Sequence, residues 1–234
     1  MRVAICYSGH VERLFKDSQP FITQLKSYNN CDNIDFFFSL WRNDDAGTSE
    51  KYIKDLISNY ISTSHNIFIE WQNSITSYPL KHTVCDRDLC GHIQPINWYS
   101  QYTGIKLADQ FRQQHSNDYD FVIRSRLDIG LSGNVDFNLW DGLLNGYDVL
   151  IPRSWNWFMH WNENCKSLND QFFVARPITM SNLVRLADRM DEYMDNGCRF
   201  HGESLMWWNI HHGCNATYHL ADFDTVLRGV IETS

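Results

Sequence analysis

The residues best equipped for chemistry lie in Tyr119 to Ile129, YDFVIRSRLDI, where an apolar run passes directly into Arg124, Arg126 and Asp128. Alternation puts all three side chains on one face if the strand stays extended. Two guanidiniums and a carboxylate at a strand end suit a diphosphate: the guanidiniums offer bidentate donors to phosphate oxygens, and the carboxylate offers oxygen ligands to a divalent cation. That is the chemistry of a leaving group. An Arg–Asp salt bridge satisfied within the sheet edge has the same spacing and stands as the structural alternative.

Further candidates are scattered along the chain. Ser8, Gly9 and Arg13 follow an initial apolar run, and glycine there permits close backbone approach to a ligand, although an ordinary strand-to-helix turn has the same composition. His10 adds no stronger signal. Asn169 to Phe172, NDQF, precedes an apolar strand; its polar groups suit sugar hydroxyls, with Asp170 orienting or deprotonating an acceptor, and they equally suit a turn. Glu203 falls in the first turn of a helix, where the dipole favours it and capping alone explains it. Trp155, Trp157, Phe158, His160 and Trp161 are dense enough for an acceptor wall or lid, with core packing as the alternative. Cys85 and Cys90, near Asp86, Asp88 and His92, lack a second ligand pair at zinc spacing, so zinc is not expected.

The elements that must position these residues alternate. Arg2–Tyr7, Ile34–Leu40, Ile67–Trp71, Tyr119–Arg124, Tyr147–Ile151 and Ala216–Leu220 read as short strands. Helical spacing is expected after Pro20, over Lys51–Ile61, over Asn97–His115, from Pro177 to a cap at Gly197, and over Gly202–His212. Trp98, Tyr102, Ile105, Ala108 and Phe111 make Asn97–His115 the strongest of these. This order predicts a single α/β domain over residues 1–234, with a mostly parallel sheet flanked by helices and ligands beyond the carboxyl ends of its strands.

Composition narrows the function. At 234 residues the chain can bury one full core, and 43% hydrophobic with 21% charged residues is ordinary for a folded domain. Net charge is -8 with no Lys/Arg block, so nucleic acid is a poor partner. No apolar run approaches the about 18 residues of a transmembrane helix, and the start lacks a secretory signal, so cytoplasmic residence is expected, in the host cytoplasm for a viral protein. Seven scattered cysteines argue against a disulfide framework. Aromatic residues reach 15%, and aromatic faces suit the apolar edges of sugar rings. No G-x-S-x-G, P-loop or complete dinucleotide fingerprint occurs, which weighs against hydrolase, kinase and dehydrogenase readings.

In this order the motifs resemble the small bacterial and viral glycosyltransferase-like family. It opens with a strand of the type I-C-[IY]-S-G, here Ala4 to Gly9, and continues with D-[IF]-F-x-x-x-W, here Asp35 to Trp41. R-x-R-x-D at Arg124 to Asp128, N-D-Q-F at Asn169 to Phe172 and E-x-x-[LM] at Glu203 to Met206 follow. The resemblance implies a GT-A-like, Rossmann-like fold that transfers sugar from a nucleoside-diphosphate sugar donor to a glycan hydroxyl acceptor. It also implies nucleotide contact at Ser8, Gly9 and Arg13, diphosphate contact at Arg124 and Arg126, and a divalent cation, Mn2+ or Mg2+, at Asp128. Asp170 and Glu203 become the candidate catalytic carboxylates, and His211, His212 or His219 a late metal or phosphate ligand. Arg-x-Asp here stands for the usual Asp-x-Asp, so one carboxylate is missing and Arg126 itself brings positive charge to the diphosphate. The rival from another class is a catalytically silent carbohydrate-binding domain.

Overall fold

Alternation along β1 (Arg2–Gly9) sends Val3, Ile5 and Tyr7 into one core and Ala4 and Cys6 into another, so this strand is buried on both faces. β2 (Asn33–Trp41) behaves likewise, with Phe36 and Phe38 on one side and Phe37 on the other. A strand covered twice is apolar over most of its length, which is why both read as hydrophobic runs. The computed structural model describes residues 1–10, 21, 25, 33–42, 46–61, 64–73, 75, 77, 79–82, 95–132, 135–153 and 167–227.

The remaining elements, in chain order, are α1 (Ala46–Tyr60), β3 (Ser64–Gln72), α2 (Pro95–His115), β4 (Phe121–Arg126), β5 (Ile129–Ser132), α3 (Phe137–Leu143) and β6 (Val149–Pro152). After them come β7 (Phe172–Ala175), α4 (Pro177–Leu183), α5 (Leu186–Asp195), α6 (Gly202–Trp208), a π-helical turn at Asn209–Gly213, β8 (Tyr218–Ala221) and β9 (Asp224–Leu227). Seven strands form one sheet in the order β3-β2-β1-β4-β7-β6-β8. Only β7 runs against its neighbours, pairing antiparallel with β4 and β6; β5 and β9 make a separate antiparallel pair. Ile53 and Ile57 of α1 and Phe137 and Trp140 of α3 cover one face. α2, α4, α5 and α6 cover the other. The expected single α/β domain with a mostly parallel, helix-flanked sheet is what the chain forms.

Two expectations are corrected in detail. β4 runs on to Arg126 rather than ending at Arg124, because the Arg126 amide still donates to the Gln171 carbonyl, 3.0 Å away. The helix expected from Pro177 to Gly197 is two helices. At the break the Leu183 carbonyl accepts from Asn209 Nδ2 at 2.8 Å, while Met180, Leu183, Ala187 and Met190 keep one buried face across it. Gly197 ends α5 at φ +95°, a left-handed conformation suited to glycine.

One motif residue belongs to the fold. Asp35 is buried at the amino end of the sheet, where it accepts from Arg2 Nη2 (3.2 Å), Asn33 Nδ2 (3.0 Å), Asn66 Nδ2 (2.7 Å) and the Tyr119 hydroxyl (2.7 Å). A buried carboxylate needs such partners, and these four join β1, β2, β3 and the residues just before β4. Among the described residues no helix is long and apolar enough to cross a membrane.

Candidate functional site

The register of the parallel strands fixes the site. Ser8 of β1 lies opposite Arg126 of β4, so the Ser8–Gly9 turn and the Arg-rich strand end share the carboxyl edge of the sheet. Gly9 takes φ +122°, open to glycine and strained for other residues. Directly behind this edge α2 crosses closely: a Cβ on Gly104 would stand 3.3 Å from Ser8 Cβ. Between these elements lies a cleft of about 520 Å³, lined among others by Ser8, Gly9, His10, Trp41, Trp98, Gln101, Arg124, Arg126, Asp170 and Gln171.

Arg124 and Arg126 point to the α2 side of the sheet, as alternation requires, but their partners differ. Arg124 is 2% exposed. Its Nη1 donates to the Asp170 carbonyl at 2.8 Å and to the Gln171 carbonyl, while Nε is buried without a partner. Burial pulls its pKa down to about 10, against the pull of Asp170, and leaves it cationic at neutral pH. Its hydrogen bonds go to neutral carbonyls, and the Asp170 carboxylate is the strongest negative neighbour it feels.

Arg126 and Asp128 meet edge to edge, Nε to Oδ1 at 2.9 Å and Nη2 to Oδ2 at 2.7 Å. The strand does not stay extended to Asp128; a turn after Arg126 folds the carboxylate back onto the guanidinium. The Arg–Asp bridge, the structural alternative for this stretch, is therefore present, and Arg124 stands apart from it, hydrogen-bonded to backbone carbonyls. As a cation ligand Asp128 is part-exposed and supplies a single carboxylate. That fits a hard divalent ion completed by phosphate oxygens and water, the manner in which Mg2+ is usually held. Among the described residues no three His, Cys, Asp or Glu side chains are placed to hold a metal by themselves.

Asp170 is 1% exposed and sits at the bottom of the cleft's polar side chains. Asn169 makes its turn, with Oδ1 accepting from the amides of Gln171 (2.8 Å) and Phe172 (3.2 Å). Asp170 Oδ2 accepts from Gln101 Nε2 at 2.8 Å and from the Tyr102 hydroxyl at 2.9 Å. Glu203, at the start of α6, is buried behind it and is not among the residues lining the cleft. His201 Nε2 stands 3.0 Å from Glu203 Oε2, without hydrogen-bond alignment. Burial, reinforced by Asp170, lifts the Glu203 pKa to about 8, overriding the opposing pull of its own backbone amide and Arg126. The same burial and the two carboxylates push the Tyr102 hydroxyl far up.

Of the expected site residues, Ser8, Gly9, Arg124, Arg126 and Asp170 line one cleft, Asp128 is bound to Arg126, and Glu203 lies behind Asp170. Arg13 and the Trp155–Trp161 cluster fall outside the described residues. The late histidines go elsewhere. His211 stacks on Trp207 at 4.2 Å, His212 lies 4.5 Å from Trp208, and His219, on β8 at the sheet's far edge, packs on Tyr147 at 4.8 Å. Sequence reading missed Trp98 and Gln101 as cleft residues and Tyr102 as a buried partner of Asp170, because it assigned their helix to the core. The available signal was Gly104, a helix-weakening residue in mid-helix that calls for a close approach.

The chain's fold is similar to that of mouse xyloside xylosyltransferase 1 in its apo form, with a TM-score of 0.55 over 94% of this chain and 84% of that one, at 12% identity. No family model and no curated protein sequence matches the chain. The fold is thus GT-A-like, a glycosyltransferase-like arrangement.

Proposed function

We propose that this protein transfers a sugar from a nucleoside-diphosphate sugar to a glycan hydroxyl. The observation that carries this reading is the cleft itself: two guanidiniums and a glycine turn at the carboxyl edge of a parallel sheet, with a buried, hydrogen-bonded carboxylate in the same cleft. The fold shared with a xylosyltransferase supports it.

In this reading Ser8 and Gly9 give the nucleotide close backbone approach, with Arg13 as a further contact, and Arg124 and Arg126 face the diphosphate. A divalent cation on Asp128, Mn2+ or Mg2+, would add positive charge to the leaving group. Asp170 takes the proton from the acceptor hydroxyl. The acceptor oxygen then bonds to the anomeric carbon as the bond to the diphosphate breaks, and the electron pair departs onto phosphate oxygens beside the guanidiniums. Preorganised charge of this kind works because it is in place before the transition state forms. Glu203 does not line the cleft, and burial pushes it toward its protonated form, which limits the second negative charge beside Asp170 and leaves the base role in this reading to Asp170.

A thermal-shift panel of nucleoside diphosphates and nucleotide sugars, followed by nucleoside diphosphate release with glycan acceptors, tests the proposal. A ligand at 100 times its Kd stabilises the fold by about 2.7 kcal/mol. A panel with no shift and no release sinks the reading. Binding of sugar without release from any donor favours the silent carbohydrate-binding domain.

A further inference from the structure

Both oxygens of Asp128 are engaged by a cation the chain itself carries, at the place where a metal-bound diphosphate would need them. The two side chains are only 19% and 22% exposed, so neither charge can be left without a partner, and the pair parts only where each gains a replacement: a phosphate for Arg126 and a cation for Asp128. The Arg126 backbone is fixed, by its amide bond to Gln171 and by pairing with β1, so parting is a movement of side chains alone. Beneath it sits Arg124, buried and cationic, whose repulsion favours any arrangement that brings a phosphate between the two guanidiniums.

Resting on the reading that this edge takes a diphosphate, we infer that Arg126 and Asp128 form an exchangeable pair. In the free protein Arg126 closes Asp128 to cations; when the diphosphate engages the guanidinium, Asp128 is released to a divalent ion. The exchange conserves charge, since a diphosphate diester brings two negative charges and the ion two positive ones. It makes cation binding conditional on the donor, and linkage requires the reverse as well: the ion tightens the donor by the same factor.

The experiment reads Mn2+ binding from loss of the free-ion electron paramagnetic resonance signal, with no nucleotide present. Arg126→Gln is expected to bind Mn2+ at least about tenfold more tightly than the wild type, equivalent to about 1.4 kcal/mol, and Arg126→Gln with Asp128→Asn loses that gain. Arg126→Lys keeps the charge but not the two-point fork, falls between, and carries the test if Arg126→Gln does not fold. An Arg126 variant that binds no more tightly, or a gain that survives Asp128→Asn, overturns the exchange. Calorimetry with a panel of nucleoside diphosphates, with and without Mn2+, then measures the coupling, which should shrink in Arg126→Gln; unchanged coupling also overturns it. The two failures are distinguishable. If nucleoside diphosphates bind and the variant is indifferent to Mn2+, the exchange falls and the diphosphate site stands; if none binds, the exchange and sugar transfer both fall, whatever Arg126→Gln does with Mn2+.

Discussion

The Tyr102 hydroxyl lies 2.9 Å from Asp170 Oδ2 and 2.8 Å from the Gly202 carbonyl oxygen, so one hydroxyl bridges the cleft carboxylate to the first residue of α6. α2, the NDQF turn and α6 thereby converge on one atom. Tyr102→Phe keeps the ring in the core and removes the bridge. It should cost about 1–3 kcal/mol of stability, the usual range for stranding buried polar groups, and lower turnover about tenfold with donor KM little changed. Denaturant unfolding and steady-state kinetics on the same preparation check both; an unaffected turnover would make the bridge purely structural.

Asp170→Asn preserves shape and the possible bond to Tyr102 but cannot accept the acceptor's proton. Loss of a general base typically costs a factor of about 100 to 10,000. The expected result is a folded protein that still binds nucleoside diphosphate and releases almost none from donor plus acceptor. Near-normal release would remove Asp170 from the reaction.

Glu203 makes stability depend on pH. Its folded-state pKa, about 8, lies above its ordinary value of 4.5. Between these values the folded chain holds a proton that the unfolded chain has lost, so stability falls as pH rises through that window and levels off above about 8. Asp170, Arg126, Tyr102 and His201 are its charged or titratable neighbours. Glu203→Gln, fixed in the neutral form, should flatten this slope and gain a few kcal/mol on the wild type at pH 8 relative to pH 5, to order of magnitude. Parallel slopes for the two proteins would show that Glu203 is not the group responsible.

Asp35→Ala should damage the fold and spare the site. Four donors from β1, β2, β3 and the residues before β4 lose their acceptor, a loss of about 3–5 kcal/mol on the scale of broken buried pairs. Asp35 pairs in register with Ala4, at the opposite end of β1 from Ser8, so nucleoside diphosphate affinity in the folded fraction should be unchanged. A stable variant with weakened nucleotide binding would reverse this assignment.

This contrast explains what was legible in the sequence. β1, β2 and β4 are buried on both faces, so their apolar runs announce strands, and parallel strands bring their ends to one edge; Ser8 and Arg126 could be expected together on that basis, whereas Asp170, ahead of β7, reaches that edge only because β7 runs antiparallel. Chemistry hidden inside a periodic pattern was not legible. Gln101 sits between Trp98 and Tyr102 on a helix whose apolar face is core, and nothing in its spacing announces a bond to Asp170. Asp35, in the run IDFFFSL, has the look of a site residue, yet its partners Arg2, Asn66 and Tyr119 are gathered by sheet register alone. Nor does residue type give Glu203 away: its place in a first helical turn favours the carboxylate, and only burial beside Asp170 reverses that preference.

Gly202 is where this arrangement tolerates least. A Cβ built there would stand 2.2 Å from Trp98 Cζ3, 2.6 Å from Cη2 and 2.8 Å from Asp170 Oδ2. Real Cβ atoms do not approach so closely, so Gly202→Ala must displace the indole, the carboxylate or the start of α6, and each of these bounds the cleft or supports it. Overpacking of this kind costs about 1–3 kcal/mol. Because Asp170 is among the displaced groups, turnover should fall further than stability implies, with nucleoside diphosphate binding at the arginines retained. Trp98→Leu opens the space that the new methyl needs. In a double-mutant cycle Gly202→Ala with Trp98→Leu should therefore be less destabilised than the sum of its parts, by about 0.5–3 kcal/mol, the range for residues in contact. Strict additivity would mean that α6 moves as a whole, and that the contact with Trp98 does not set its position.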